Sequence, residues 1–177
     1  IESHFHDTVQ AGKGLCKEEA VAVLVVEGPR RIQELLTWGV SFDKIGDQFV
    51  LAREGAHSKN RILRARGDAT GNEIVKTLQR AITSNKNILT LNGHFTIQLL
   101  MEQEKTAEAV CAGALALDEG SGALRRFFAK AVILATGGIG QMYQRTTNPP
   151  VATGDGIAMA LKAGAELEDM EFFQFHP

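Results

Sequence analysis

Cysteine is nearly absent. Cys16 and Cys111 are the only two in 177 residues, they lie far apart, and they fit no metal-ligand spacing. Such a pair reads as two reduced thiols of a cytosolic protein rather than as a disulfide. Charge of one sign is lacking too: the formal net charge is −2 and the pI about 6.2, which argues against the clustered basic face that nucleic acid requires. Long hydrophobic runs are missing, and the longest apolar stretches are far too short to span a bilayer. There is no initiator Met and no signal-peptide pattern in "IESHFHDTVQ". Neither GxGxxG nor GxxxxGK[ST] occurs, so neither a dinucleotide first turn nor a P-loop is claimed. What is present is ordinary globular composition, 44% hydrophobic and 23% charged, sufficient for one domain or part of one. The expectation is a soluble, cytoplasmic protein without a nucleic-acid partner or a membrane segment.

Two features stand out against that background. Glycine is frequent, at 18 residues, and clusters after Leu134. The chain also ends on "MEFFQFHP", with three Phe and a Met in its last eight residues. Apolar rings beside a free end are unusual, because termini lie at the surface and fray. The sequence therefore reads as a piece of a longer chain.

Hydrophobic spacing predicts the elements. Between Lys17 and Trp38, Ala20, Val23, Leu24, Ile32, Leu35 and Leu36 recur with helical period. Gly28-Pro29 interrupts them, which predicts two successive helices, the second ended by Gly39. Val40 to Leu63 predicts a short hairpin around Gly46-Asp47, then an irregular polar loop. Asp68 to Ser84 predicts a helix with Ile74, Leu78, Ala81 and Ile82 on its apolar face and Thr70 or Asn72 as cap. A strand in "NILTL" follows. "HFTIQLLM", "AVCAGALALD" and "ALRRFFA", with a Gly-Ser-Gly turn at 120–122, predict an antiparallel meander. Ala131 to Leu134 predict a buried parallel strand ending in glycines, and Gly154 to Asp169 starts a helix. The order indicates an α/β nucleotide-binding domain with an inserted antiparallel β-meander.

Four places carry candidate chemistry. In "AVILATGGIG", Thr136, Gly137 and Gly138 turn the chain at the carboxyl end of the expected strand, where a ligand can approach the backbone; a plain tight turn is the alternative. In "TGDGIAMA", Gly154 and Gly156 flank Asp155 at a helix N-terminus, which suits an anion or an acceptor oxygen; capping of its own helix is the commoner reason for an Asp there. The stretch from Ala52 to Gly71 packs Arg53, Glu54, His57, Lys59, Arg61, Arg64 and Arg66 together. It reads either as a solvated charged loop or as a site where a carboxylate holds an amine while cations hold carboxylates. His176, beside Phe175, is either a core histidine or a donor at a cavity edge. His4 and His6 find no third partner for a metal.

Taken together, "HFHDTVQAGKGLC", "REGAHSKNRIL", "GDATGNEI" and "AVILATGGIGQMYQRTTNPPVATGDGIAMALKAGAELEDMEFFQFHP" resemble, over nearly the whole chain, the flavoprotein family that contains L-aspartate oxidase, succinate dehydrogenase and fumarate reductase. The "REG-HS" form with "TTNP" before "GDG" is most similar to the aspartate-oxidising branch. Ala56 and Lys59 stand where its members often carry Gly and His, and "HFTIQLL" is a loose match. The resemblance implies part of a Rossmann-like FAD-binding domain, residues 1–169 being its central portion without the first βαβ unit and 170–177 leading into a capping domain. It implies FAD as cofactor, and hydride transfer from the Cα of L-aspartate to the flavin, giving iminoaspartate in the first step of bacterial NAD biosynthesis. Oxygen or fumarate is the implied acceptor, and the next enzyme of that pathway an implied partner. By position, Glu54 corresponds to the residue that orients the substrate amine and His176 to the histidine that contacts a substrate carboxylate. Phe95 and Thr96 correspond to backbone contacts of the adenine half of FAD, Gly137 and Gly138 to glycines beside the cofactor, and Asp155 to its Asp contact. The family's proton donor is an arginine with no counterpart in these residues. The competing expectations are a succinate dehydrogenase or fumarate reductase flavoprotein, and a non-enzymatic α/β binding module whose glycines serve turns only.

Overall fold

Helices α1 (Glu2–Ala11) and α2 (Glu18–Thr37) open the chain and pack against each other. The two helices expected between Lys17 and Trp38 are one, and Pro29 lies inside α2. An interior proline forfeits one backbone hydrogen bond and costs about 3 kcal/mol. Burial on one continuous face offsets that cost: Val21 and Val25 before the proline are buried, and Ile32, Leu35 and Leu36 after it pack on the core. Arg31 spans the break, bonded to Glu27 on one side and Glu34 on the other. Gly39, at φ +95°, ends the helix as expected. Its N–H donates to the Leu36 carbonyl and that of Val40 to the Leu35 carbonyl, a Schellman closure that only a left-handed residue permits.

Val40 then enters a small core with Phe42 and Ala65. Burying side chains such as Val40 and Phe42 stabilises by roughly 1.5–3 kcal/mol each, and the Phe42 ring meets Phe49 edge-on at 6.4 Å. The hairpin turning at Gly46-Asp47 is present, β1 (Lys44–Ile45) against β2 (Gln48–Phe49). The region expected to be an irregular loop also contains a second antiparallel pair, β3 (Leu51–Ala52) with β4 (Ile62–Leu63). Helix α3 (Thr70–Ser84) forms, but with two corrections. Neither Thr70 nor Asn72 is its cap: the capping position is Ala69, and the Thr70 hydroxyl instead accepts the Ala65 N–H. The face that is fully buried carries Glu73 and Thr77, while Ala81 and Ile82 are exposed. Glu73 is tolerated there because Arg66 and the Ser41 N–H satisfy it.

The computed structural model describes residues 1–102 and 109–175, which fall into two units, Ile1–Thr90 and Leu91–Pro177. The second unit holds the expected meander: β5 (His94–Glu102), β6 (Val110–Asp118) and β7 (Leu124–Phe128), in that order and antiparallel. Asp118 builds its turn. One carboxylate oxygen accepts the Gly120 and Ser121 N–H groups, and the other takes a two-pronged bond from Arg125 at 2.9 and 3.0 Å. A bulge interrupts β5 between Thr96 and Gln98.

The strands expected at "NILTL" and at Ala131–Leu134 do not form, and Ile133 is 89% exposed. β-branched composition supplies no ladder bond by itself, and among the described residues no neighbouring strand offers one. All strand pairs are antiparallel there, so the architecture is mixed helix and sheet. Helix α4 (Asp155–Lys162) lies beside β5 and ends well short of Asp169. No described helix is long and apolar enough to cross a membrane.

Candidate functional site

In the first unit the charged stretch is a closed loop. At its base β3 meets β4, and the Arg61 N–H donates to the Ala52 carbonyl at 3.0 Å. At its tip Asp7, reaching in from α1, accepts the Ser58 N–H at 2.9 Å, the Ser58 hydroxyl at 2.8 Å and the Arg61 guanidinium at 2.7 Å. Those bonds, the Ser58 N–H foremost and Arg61 next, hold the Asp7 carboxyl well below the usual carboxylate range. Arg61 also bonds His57 Nδ1 at 2.7 Å and the Ser3 hydroxyl at 3.2 Å. A guanidinium only donates, so His57 Nδ1 accepts. The His4 ring lies 5.5 Å from that of His57. Desolvation, followed by the nearby charge of Arg61, lowers the His4 pKa.

Within this closed loop Glu54 stands outward. It makes an ion pair with Arg64 at 3.0 Å, both side chains being largely solvated, at 57% and 44% exposure. The side chains of Asp7 and Arg61, by contrast, are only 11% and 16% exposed. A second carboxylate, Asp43, accepts the N–H groups of Arg66 and Gly67 at 2.8 and 3.1 Å, which lower its pKa and fix the turn leading into α3. Neither Asp7 nor Asp43 was foreseen. The signal existed, since a short stretch with this many cations needs carboxylate partners from elsewhere, and "HFHD" offers one.

In the second unit the glycine-rich segment forms the other candidate. Gly156, in the first turn of α4, sits directly against Thr136, whose hydroxyl lies 1.7 Å from where a Cβ would be. Gly154 is likewise closed off by Ile139 at 2.6 Å. These two glycines let the helix start rest on the 136–139 segment. Gly137 and Gly138 differ, for nothing lies within 4 Å of the position a Cβ would take. Their backbone faces open space, and Gly138 borders a cleft of about 460 Å³ reaching Asn148, Ile157, Met170 and Phe172. That size suits a small-molecule site. Tyr143 packs edge-on against Phe173 and Phe175 at 5.1 and 5.4 Å, so the aromatic end of the described chain is tied back to this segment.

Asp155 does not cap its own helix. The capping residue is Gly154, while Asp155 occupies the first turn, exposed, its carboxylate bonded by the Thr153 hydroxyl. A carboxylate there complements the helix dipole and keeps acceptor capacity toward solvent. Phe95 and Thr96 sit at the start of β5 next to its bulge, opposite Leu117 and Ala116, and Phe95 is half exposed. Bulges re-aim strands beside ligand sites. His176 lies outside the described residues. Cys16 and Cys111 are free thiols, and no three described His, Cys, Asp or Glu side chains are placed to hold a metal ion.

The chain belongs to the FAD-binding domain family, whose model, described as an FAD binding domain, matches residues 1–177. Its relatives include the chloroplastic L-aspartate oxidase of Oryza sativa, 48% identical over 178 residues, which cover 100% of this chain and 27% of that protein. The L-aspartate oxidase of Streptomyces coelicolor is 44% identical, with 99% and 30% covered. Among solved structures, Sdh1 of Mycobacterium smegmatis in complex with UQ1 superposes with a TM-score of 0.89 at 36% identity, covering 99% of this chain and 30% of that one. A mutant of E. coli quinol fumarate reductase FrdA gives 0.90 at 34%, covering 99% and 29%. The chain thus spans under a third of the length of these relatives.

Proposed function

We propose that the full-length protein is an FAD-dependent oxidase converting L-aspartate to iminoaspartate, the entry step of NAD biosynthesis, within a Rossmann-like domain that the remainder of the chain completes. The observation that carries this reading is the sustained identity to L-aspartate oxidases of plants and bacteria, 48% and 44% in the two cases above, across essentially every residue of the chain. The open backbone at Gly137 and Gly138 fits a cofactor that must approach the main chain closely. FAD, when bound, supplies the hydride-accepting chemistry.

The chain's own residues bind and orient. Glu54 offers a carboxylate to the substrate ammonium group, and its solvated bond to Arg64 is weak enough to be exchanged for that partner. His176 donates to a substrate carboxylate. Gly137, Gly138 and Asp155 flank the cofactor, while the backbone of Phe95 and Thr96 meets its adenine half. Oxygen or fumarate takes the electrons onward, and we place the protein in the cytoplasm, with the next enzyme of the pathway as a candidate partner. Superposition on the Sdh1 and FrdA structures favours a second reading, a flavoprotein that oxidises succinate or reduces fumarate.

One assay separates the two. The full-length protein, purified with its flavin, is given L-aspartate or succinate as electron donor, and peroxide formation or fumarate reduction is followed. Turnover with aspartate is expected; turnover with succinate alone would move the protein to the second reading. A preparation that retains no flavin would point to a binding module instead.

A further inference from the structure

Resting on the reading of Glu54 as the ammonium-binding residue, we infer that Asp7 is the positioning residue of the substrate loop, latching its tip to α1 so that Glu54 is presented in one orientation. The loop from Arg53 to Arg61 is anchored to the rest of the unit at two points, its base and its tip. One is the β3–β4 base with its Arg61-to-Ala52 backbone bond. The other is the Asp7 carboxylate, which holds Ser58 through both its N–H and its hydroxyl, and Arg61 through its guanidinium. Glu54 lies between them, and its carbonyl accepts the His57 N–H at 3.3 Å, closing a tight turn in which Ala56 takes φ +67°. A non-glycine residue in that region is strained by about 1–3 kcal/mol and persists only where its surroundings over-determine it. The Asp7 latch is such a surrounding.

Asp7 contributes no atom to the substrate. Its effect is to remove freedom from the segment carrying the charge that does, and displacement of a binding group by about 1 Å costs up to about a hundredfold in rate. The pattern of bonds also distinguishes a latch from a generic surface pair: three donors converge on one partly buried carboxylate, two of them from a single serine.

The test is a mutant cycle on the full-length flavoenzyme, reading KM and kcat for L-aspartate oxidation beside KM for fumarate reduction, fumarate having no amine. Asp7→Asn, and the milder Ser58→Ala in case the first does not fold, are combined with Glu54→Gln. The expected result is a KM for aspartate raised about tenfold by Asp7→Asn, less by Ser58→Ala, with flavin content and KM for fumarate unchanged. Added to Glu54→Gln, neither change should raise the aspartate KM further, because both act through the same carboxylate. If Glu54→Gln raises the aspartate KM and the Asp7 and Ser58 variants act additively upon it, or affect fumarate equally, the latch is overturned while the function stands. If Glu54→Gln leaves the aspartate KM unchanged, the assignment of Glu54 fails, and the latch with it.

Discussion

Two ion pairs share the loop between Arg53 and Arg64, and they behave oppositely. Arg61 with Asp7 is partly buried and surrounded by further bonds, whereas Arg64 with Glu54 is half solvated and stands alone on its carboxylate. Desolvated, multiply bonded charges hold structure together; solvated pairs contribute about 0–1 kcal/mol and exchange partners readily. The glycines of the second unit repeat the contrast. Gly154 and Gly156 are closed by contacts within the chain, while Gly137 and Gly138 face open space. In both places one member is held by contacts within the chain and its neighbour is left exposed to solvent.

Breaking the closed member of each pair is expected to cost most. Arg61→Ala should lower the urea midpoint more than any other single change in the loop, because it strips Asp7, His57 and Ser3 of one donor at once. Arg64→Ala should cost no more than about 1 kcal/mol. Near-equal midpoints for the two variants would break the comparison. Gly156→Ala drives a methyl into Thr136 and should destabilise by about 1–3 kcal/mol in thermal melts. Gly138→Ala should stay within about 0.5 kcal/mol yet reduce flavin retention by the full-length protein. A Gly138 variant that keeps its flavin would remove that glycine from the site. Glu54→Gln should likewise leave stability within about 0.5 kcal/mol, its effect appearing in aspartate turnover and not in fumarate turnover.

The smallest effect expected is acid dependence of the meander turn. The Ser121 hydroxyl first, then Arg125 and the neighbouring N–H groups, lower the Asp118 pKa from 3.8 to about 2. A carboxylate lowered on folding adds stability that is fully present above its unfolded value, near 3.8, and lost as pH falls through about 2. Urea midpoints between pH 6 and pH 2 should therefore fall less steeply for Asp118→Asn than for the parent. Parallel curves would mean that the turn holds without its charge.

Much of the fold was legible because its causes are local. The meander follows from three apolar segments and the Gly-Ser-Gly turn, the first hairpin from Gly46-Asp47, and the end of α2 from Gly39. Where the reading failed, a distant partner decided. Pro29 should have split α2, but Val21 and Val25 before it are buried and Ile32, Leu35 and Leu36 after it pack on the core. On α3 Ile74 packs on the core and Leu78 is half-buried as the spacing implied, but Ala81 and Ile82 are exposed and the fully covered residues are Glu73 and Thr77, Glu73 being satisfied by Arg66 and Ser41. Ala131 to Leu134 have the composition of a buried strand and no described neighbour to pair with.

The candidate site divides in the same way. Sequence by itself determined which residues are candidates for the chemistry, Glu54 among the arginines and the glycines around Asp155, because residue type and spacing carry charge, reach and backbone freedom. Only the tertiary structure decided which of them are already engaged. Asp7 and Arg61 are 54 residues apart in the chain, and Thr136 meets Gly156 across an intervening loop. Contacts at such separation depend on how helices and strands pack, a collective result of burial that no local pattern encodes.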